Sequence, residues 1–379
     1  MAISARAAAL KAAGQDVISF GAGEPDFPTP PHIVEAAAAA VRDPANHHYT
    51  AAAGLAELRA AVSDNARTYS RVEVDPDRIV ITNGGKQAVY MAMAALLDPG
   101  DEVLLPSPYW VTYPEALTLA GAVSVKIPTT IDDGFKVTPE VLDRYRTPAT
   151  KLLVFVSPSN PTGAVYTPEE VRQVGLWAAE HGIWVLTDEI YQRLVYGDAE
   201  FTSLPGSVPE MGDRWVIVNG VAKSYAMTGW RVGWLIGPED VVGASTRLQS
   251  HLTSNVANVT QRAALAGLTG PQDVVQEMRA VFDRRRRIAV EMLGQIGGVR
   301  LLEPEGAFYV FPDLSNYLGG RFSTTLELAS WILEDSGVAI VPGEAFGAPG
   351  YARLSYALAD ADLERGLKRF ASALNLLEP

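Results

Sequence analysis

A segment just past the middle of the chain places a lysine and an arginine in surroundings that favour covalent chemistry. Residues 219–233 read NGVAKSYAMTGWRVG, so Lys223 lies among small and apolar residues. Desolvation favours the neutral, nucleophilic form of a lysine, which makes Lys223 a candidate for forming an imine with a carbonyl compound. Arg231 follows and offers a guanidinium fork suited to phosphate. An exposed lysine without a chemical role is the alternative, although its neighbours are poor surface residues.

Two glycine-rich turns suggest anion binding. Residues 83–87 read NGGKQ between a predicted strand and a predicted helix. The free N–H groups and the dipole of a helix N-terminus favour an anion such as phosphate. The turn lacks the glycine spacing and the Lys-Ser/Thr pair of a P-loop. Residues 21–23 read GAG but lack the third glycine of a dinucleotide fingerprint, which disfavours a nicotinamide site.

Three further polar side chains lie at turns or strand ends. Asn160 stands in the turn SPSNPTG, which two prolines stiffen, and Asp188 ends the apolar run 183–187. Ligands of parallel sheets bind beyond such strand ends. Arg353 adjoins a β-like run and could clamp a carboxylate. Each residue also has a purely structural interpretation. Asn160 could bond its own backbone in the turn, Asp188 could cap a helix N-terminus, and Arg353 could form a structural ion pair.

The elements that would position these residues alternate along the first two thirds of the chain. Apolar runs cover residues 78–82, 102–105, 151–156, 183–187 and 215–218, and predicted helices cover residues 28–42, 55–69, 86–97 and 168–181. Because the runs do not alternate with polar residues, we expect strands buried on both faces, hence an α/β fold with a mostly parallel sheet. A long helix over 271–296 is predicted to join a large first domain to a smaller second one. Its four arginines, 284–287, are predicted to form a solvated or interface-facing turn.

Composition narrows the function classes. A chain of 379 residues predicts two domains at ~150 residues each. The net charge of −13 argues against nucleic acid as a partner, and the lack of cysteine excludes disulfides, thiolate catalysis and iron–sulfur clusters. Arg6 and Lys11 interrupt the apolar N-terminus, and no apolar run of ~18 residues occurs, so we expect neither signal peptide nor membrane span. We therefore predict a cytoplasmic protein, and adjacent His47 and His48 are not predicted to bind a metal.

Seven segments, taken in order, resemble the class I, fold-type I pyridoxal-phosphate aminotransferases, nearest the bacterial aspartate (aspartate/prephenate) aminotransferases. They read GEPDF, NGGKQA, SPYW, SNPTG, DEIY, AKSYAMTGWRVG and RLSY, and the resemblance runs from about Leu10 to the last helix. It implies a seven-stranded-type, mostly parallel sheet sandwiched by helices, with a smaller α+β second domain. It also implies a large cofactor-binding domain over residues 33–283, and a small domain from residues 1–32 and 284–379 that closes over the substrate.

The resemblance implies a role for each matching position. Lys223 would hold pyridoxal 5′-phosphate and move protons, Asp188 would keep the ring nitrogen protonated, and Tyr191 would bind the phenolate oxygen. The remaining cofactor-binding residues would be Gly85, Lys86, Trp110, Asn160, Arg231 and Tyr49. The substrate-binding residues would be Gly23, Lys86, Trp110, Asn160 and Arg353. Tyr49 would reach the neighbouring active site of a homodimer, and no metal is implied.

The implied reaction is a ping-pong transfer of an amino group from an amino acid to an oxo acid, with L-aspartate and 2-oxoglutarate expected first. Lys86 matches a lysine of this branch and is expected to favour acidic substrates. The resemblance also implies further N-terminal residues, with hydroxyls near the substrate, before the match to residues 4–6; we expect their lack in this sequence to affect closure and acid selectivity. The alternatives are an aromatic or prephenate aminotransferase, another fold-type I reaction (C–S lysis, decarboxylation, oxidation), a nicotinamide dehydrogenase, and a non-catalytic regulator. We expect no room at the N-terminus for the DNA-binding module of such a regulator.

Overall fold

The computed structural model describes residues 2–377; Met1, Glu378 and Pro379, which fall in the predicted small domain, lie outside it. The helices are α1 (Ala2–Ala12), α2 (Pro31–Arg42), α3 (Ala56–Asn65), α4 (Gly85–Leu96), α5 (Thr112–Leu119), α6 (Pro139–Tyr145), α7 (Pro168–His181), α8 (Leu204–Ser207), α9 (Glu239–Leu252), α10 (Asn258–Thr269), α11 (Asp273–Gly294), α12 (Thr325–Ser336) and α13 (Asp360–Leu374). The strands are β1 (Ile18–Ser19), β2 (Ile79–Thr82), β3 (Glu102–Ser107), β4 (Val123–Pro128), β5 (Thr150–Val156), β6 (Trp184–Asp188), β7 (Trp215–Gly220), β8 (Gly233–Ile236), β9 (Tyr309–Val310), β10 (Val338–Ala339), β11 (Val341–Pro342) and β12 (Ala352–Ser355).

A seven-stranded sheet lies at the centre of residues 2–377, in the order β2-β8-β7-β6-β5-β3-β4. Neighbouring strands from β7 to β4 run parallel, while β8 runs antiparallel to both β7 and β2. Every residue of β2 and β7 is buried because helices cover both faces of the sheet. The prediction of an α/β fold with a mostly parallel sheet is confirmed.

Two apolar clusters fill the space between this sheet and its helices. On one face the strands pack against α2, α3, α7 and α10, and on the other against α4, α5 and α9. The predicted helix 28–42 begins only at Pro31, whose missing N–H costs nothing at the first helical position. The predicted helix 55–69 ends at Asn65 as a regular α-helix and continues as a wider turn to Ser70.

A third apolar cluster joins the two ends of the described chain. It contains residues of α1, α12, α13 and the second half of α11, together with β1, β9, β10 and β12. The short strands form a parallel pair, β1-β10, and an antiparallel sheet, β11-β12-β9. The division into domains at residues 33 and 283 stays a prediction.

Helix α11 contains the four-arginine turn, and two of its arginines are buried. Arg285 contacts Asp26 at 2.8 Å and Asp360 at 2.7 Å, while Arg286 contacts two other acidic residues. The expectation of a solvated or interface-facing turn is therefore wrong for Arg285 and Arg286. A guanidinium tolerates burial when carboxylates take up its N–H groups, and three of the four partners, Asp26, Asp360 and Glu303, come from outside α11, where sequence spacing does not reveal them. None of the helices within residues 2–377 has the length and apolarity needed to cross a bilayer.

Candidate active site

A cavity of about 740 Å³ opens at the carboxyl edge of the seven-stranded sheet. The loops that follow β2, β3, β5, β6 and β7 begin at this edge and contribute to the cavity, because parallel strands have their carboxyl ends on the same side of a sheet. Ten predicted site residues line it: Gly23, Gly85, Lys86, Trp110, Asn160, Asp188, Tyr191, Lys223, Arg231 and Arg353. Tyr49 does not join them within the described chain but lies on the surface with an exposed fraction of 88%.

Lys223 lies in the loop after β7, and its ammonium group donates a hydrogen bond to the carbonyl oxygen of Gly23. Burial lowers the pKa of Lys223 to about 8, and the positive charge of Arg353 acts in the same direction. About a tenth of the Lys223 amine is therefore neutral at pH 7, far more than for an exposed lysine, and this neutral form is the nucleophile.

Asp188 ends β6 and faces the cavity through a fully buried carboxyl group. Tyr113 donates a hydrogen bond of 2.7 Å to its Oδ2, and the backbone N–H of Ile190 donates one of 3.1 Å to its Oδ1. Burial raises the pKa of Asp188, while these two donors and the charge of Lys223 oppose the rise. The pKa of Tyr113 lies well above its ordinary range because of burial and the adjacent carboxylate, so Tyr113 keeps its proton. The carboxylate is thus equipped to bind a cationic group.

Arg353, on β12, presents a buried guanidinium to the same cavity. It donates 3.0 Å hydrogen bonds to Oδ1 of Asn160 and to the carbonyl oxygen of Gly21, and it lies 4.4 Å from the ring centre of Tyr309. No carboxylate within residues 2–377 forms a salt bridge with it, and its Nε has no hydrogen-bond partner there. A buried cation held in this way is suited to an anionic ligand such as a carboxylate. A Cβ on Gly23 would lie 3.9 Å from Nη2 of Arg353, so Gly23 borders this guanidinium.

A second cationic region surrounds the N-terminus of α4. Arg231 donates to the carbonyl oxygens of Thr228 at 2.7 Å and Asn83 at 3.4 Å. Gly84 has a φ of 81°, and a Cβ there would lie 2.5 Å from Nη2 of Arg231. A side chain at Gly84 would have to displace the guanidinium of Arg231 and adopt a left-handed backbone conformation, so the position favours glycine. The N–H groups of Gly85 and Lys86, the first two of α4, have no intrahelical acceptor. The guanidinium fork of Arg231, the dipole of α4 and the free N–H groups at its N-terminus are together suited to bind a phosphate.

Lys86 extends from the same turn towards Trp110. Its ammonium group donates to Oγ1 of Thr112 at 2.6 Å and lies 4.7 Å from the ring centre of Trp110. Burial, and to a lesser degree the charge of Arg231, lower the pKa of Lys86. The cavity thus concentrates cations in a molecule that carries a net charge of −13.

Four lining or contacting residues have no counterpart among the sequence predictions. They are Tyr113, which binds Asp188; Tyr309, whose hydroxyl lies 2.9 Å from that of Tyr191; and Glu24 with Thr228, joined at 2.7 Å. The only sequence signal for Tyr113 is its position three residues after Trp110 at the start of a helix, and Tyr309 has none beyond its place three residues after Gly306.

The donor set fits one kind of cofactor. A phosphate cradle, a carboxylate suited to a cationic ring nitrogen and a weakly basic lysine suited to an aldehyde line one cavity. Pyridoxal 5′-phosphate carries the three matching groups: a phosphate, a ring nitrogen that can be protonated and an aldehyde. Within the described residues, no cluster of three or more histidine, aspartate or glutamate side chains could hold a metal ion.

Comparisons with known proteins agree on one family. Residues 15–370 match the family model described as aminotransferase class I and II. The aspartate aminotransferase of Streptomyces avermitilis is 58% identical over 99% of this chain and 93% of its own, and a probable aspartate/prephenate aminotransferase of Aquifex aeolicus is 45% identical over 99% and 95%. The crystal structure of the aspartate aminotransferase from Rhizobium meliloti superposes with a TM-score of 0.95 at 39% identity, covering 99% of this chain and 96% of that one.

Proposed function

The chain belongs to the class I and II aminotransferases, and we propose that it transfers the amino group of L-aspartate to 2-oxoglutarate with pyridoxal 5′-phosphate as its cofactor. One observation carries this proposal: a weakly basic buried lysine, a buried carboxylate and an unpaired buried guanidinium line a single cavity. Lysine, carboxylate and guanidinium are the groups needed to hold an aldehyde, a cationic ring and an α-carboxylate. Membership of this family removes the dehydrogenase alternative.

When bound, the cofactor would supply an aldehyde and an electron-withdrawing ring. Lys223 would bind the aldehyde covalently, give way to the substrate amine, and then move the proton at the substrate Cα. Asp188 would hold a proton at the ring nitrogen, supported by Tyr113. Because Arg353 takes Oδ1 of Asn160, the amide NH₂ of Asn160 is free to donate to the phenolate oxygen, beside the hydroxyl of Tyr191.

The other end of the cavity would position the phosphate and the substrate. Arg231 and the N-terminus of α4 at Gly85 and Lys86 would hold the phosphate, and Trp110 would lie against the ring. Arg353 would pair with the α-carboxylate beside Gly23. The Lys86 ammonium would bind the second carboxylate of aspartate, which gives the reaction its preference for acidic donors.

The function is tested by steady-state kinetics with a panel of amino donors and 2-oxoglutarate. We expect aspartate to be the best donor, glutamate to form in equal amount, and double-reciprocal plots to be parallel. Intersecting lines at all substrate ratios, or loss of amine as ammonia, would instead favour another reaction of the same fold, such as lysis or oxidation.

Lys86→Ala tests the origin of the acid preference. We expect kcat/KM for aspartate to fall about tenfold to a hundredfold, while kcat/KM for phenylalanine changes little, because only aspartate loses an ion pair. Lys126→Ala is the matched control, since Lys126 is exposed and lies outside the cavity. An unchanged value for aspartate would refute the assignment.

Prephenate is the second candidate acceptor. The Aquifex aeolicus relative is named for both substrates, and the cavity lining includes the apolar side chains of Val341 and Phe346 beside Arg353. An acceptor with a ring and two carboxylates would satisfy both the cations and this apolar wall. Aspartate-dependent amination of prephenate, followed by product chromatography, decides whether the activity is present.

The same proposal includes a homodimer in which Tyr49 reaches the neighbouring phosphate. Its support is the exposure of this large amphipathic side chain, which is unusual for an isolated surface residue and typical of an interface. The exposed apolar side chains of Val41 and Leu252 are consistent with a covered surface.

A further inference from the structure

Glu189 is a fully buried carboxyl group for which the proposed reaction has no use. It follows Asp188 at the end of β6, and its N–H donates to the carbonyl oxygen of Val218 at 2.9 Å, so the backbone stays extended here. Successive side chains of an extended strand point to opposite sides. Asp188 lines the cavity, whereas Glu189 points behind it, away from the lining.

Three hydroxyl groups hold this carboxylate, two of them from segments that are distant in sequence. Ser70, in the turn after α3, donates to Oε2 at 2.7 Å, and Ser203, just before α8, donates to Oε1 at 2.5 Å. Thr187 of β6 contributes a longer contact of 3.5 Å to Oε1. A buried carboxylate is costly unless donors satisfy it, and here neutral donors do so. The charged group that acts on Glu189 is the carboxylate of Asp188, although that side chain points to the other side of the strand, and the amide oxygen of Gln192 also accepts from Ser70, at 3.3 Å.

The anchored segment is the turn that carries the two cofactor-facing side chains. The N–H of Gln192 donates to the carbonyl oxygen of Glu189 at 2.9 Å and closes the turn, so Asp188 precedes the anchor and Tyr191 follows it. We propose that Glu189 is a positioning residue: its ionised carboxylate fixes the turn that presents Asp188 and Tyr191, and its negative charge strengthens the binding of a cationic ring nitrogen at Asp188. This inference rests on the proposed function, because that function supplies the cationic ring.

The charge of Glu189 changes near neutral pH. Burial raises the pKa of Glu189 to about 7; the hydroxyl donors oppose the rise, and the negative charge of Asp188 adds to it. Glu189 is therefore largely neutral below this value and largely ionised above it in the cofactor-free protein. Its contribution to cofactor affinity should grow as the pH rises.

The test compares dissociation constants of pyridoxal 5′-phosphate for wild type and Glu189→Gln, measured by equilibrium dialysis of the full-length protein. Glutamine keeps the shape and an acceptor oxygen but removes the charge. We expect the variant to bind about fivefold to tenfold more weakly at about pH 8, with the ratio returning towards one at about pH 6. The ratio cancels the titration of Lys223 and of the phosphate, which are common to both proteins.

A ratio that is the same at both pH values, whether or not it equals one, would overturn the inference, since packing alone would then explain it. Should Glu189→Gln fail to fold, Ser203→Ala replaces it: loss of one donor should move the rise in affinity to higher pH, and an unmoved transition would overturn the inference. Val62→Ala, on the buried face of α3, controls for general loss of stability and should show a pH-independent ratio. No binding by wild type would overturn this inference and the proposed function together; tight binding with a pH-independent ratio overturns this inference alone.

Discussion

Lys223 has to be neutral to attack an aldehyde, although an exposed lysine carries a proton at neutral pH. Burial, assisted by Arg353, brings its pKa to about 8. A group with a lowered pKa loses its proton as the pH rises through that value, so the reactive amine accumulates above about pH 8. The burial comes from other segments of the chain, because the amine lies against the carbonyl oxygen of Gly23 and the rings of Tyr191 and Phe308.

The rate at which cofactor-free protein captures pyridoxal 5′-phosphate should therefore increase with pH and level off above about 8. The measurement is the second-order rate of the change in visible absorbance after mixing. Lys223→Ala should show no such change at any pH, and Lys151→Ala, at a partly exposed lysine outside the cavity, should follow the wild-type curve. A midpoint near the value of a free lysine would contradict the role of burial.

The turn between β2 and α4 works through its backbone rather than through a side chain. Gly84→Ala should weaken the binding of pyridoxal 5′-phosphate about tenfold or more, because the new Cβ would lie 2.5 Å from Nη2 of Arg231 and displace the guanidinium. Equilibrium dialysis measures the effect. Gly100→Ala is the matched control: Gly100 also has a positive φ, at 93°, but no atom lies within 4 Å of the added Cβ. Equal losses of affinity in both variants would assign the effect to backbone strain instead.

Much of the site could be predicted from the sequence because its residues follow strands that are recognisable as apolar runs. The runs that became β5, β6 and β7 were recognisable because both faces are buried, and parallel pairing then brings their carboxyl ends together. The sequence does not predict β4, because this strand lies at the edge of the sheet and its residues do not form a continuous apolar run. The sequence does not predict β8 either, because this strand is a run of four residues that begins at the last glycine of segment 219–233.

Contacts between distant segments could not be predicted. Tyr113 reaches Asp188 only because α5 packs on the sheet in one orientation, and Arg285 meets Asp26 across 259 positions. Sequence spacing constrains neighbours on one helix or strand, whereas these pairs depend on the packing of whole elements. Glu189 belongs to the same class, since its donors Ser70 and Ser203 come from other segments.

Arg285 ties together three parts of the molecule: α11, the loop that carries Gly23, and the start of α13. Arg285→Ala should lower the free energy of unfolding by about 1 to 3 kcal/mol, because it removes a buried guanidinium that holds two partly exposed carboxylates and leaves Asp26 without its partner. Urea unfolding near neutral pH gives the value. Arg284→Ala removes a half-exposed arginine from the same Asp360 and should cost about 0.5 kcal/mol or less. A similar cost for both would mean that burial of the pair adds nothing.

A shared active site needs two copies of the chain. If Tyr49 serves the neighbouring site of a homodimer, subunits that carry Lys223→Ala and subunits that carry Tyr49→Ala should complement each other. In a mixed dimer, the site with an intact Lys223 receives Tyr49 from its partner and is complete, while the other site lacks both groups. At limiting pyridoxal 5′-phosphate, activity after unfolding and refolding a mixture should therefore exceed the sum of the separate variants. Additive activity would indicate that Tyr49 acts within its own subunit or not at all, and a monomeric mass in light scattering would exclude the shared site altogether.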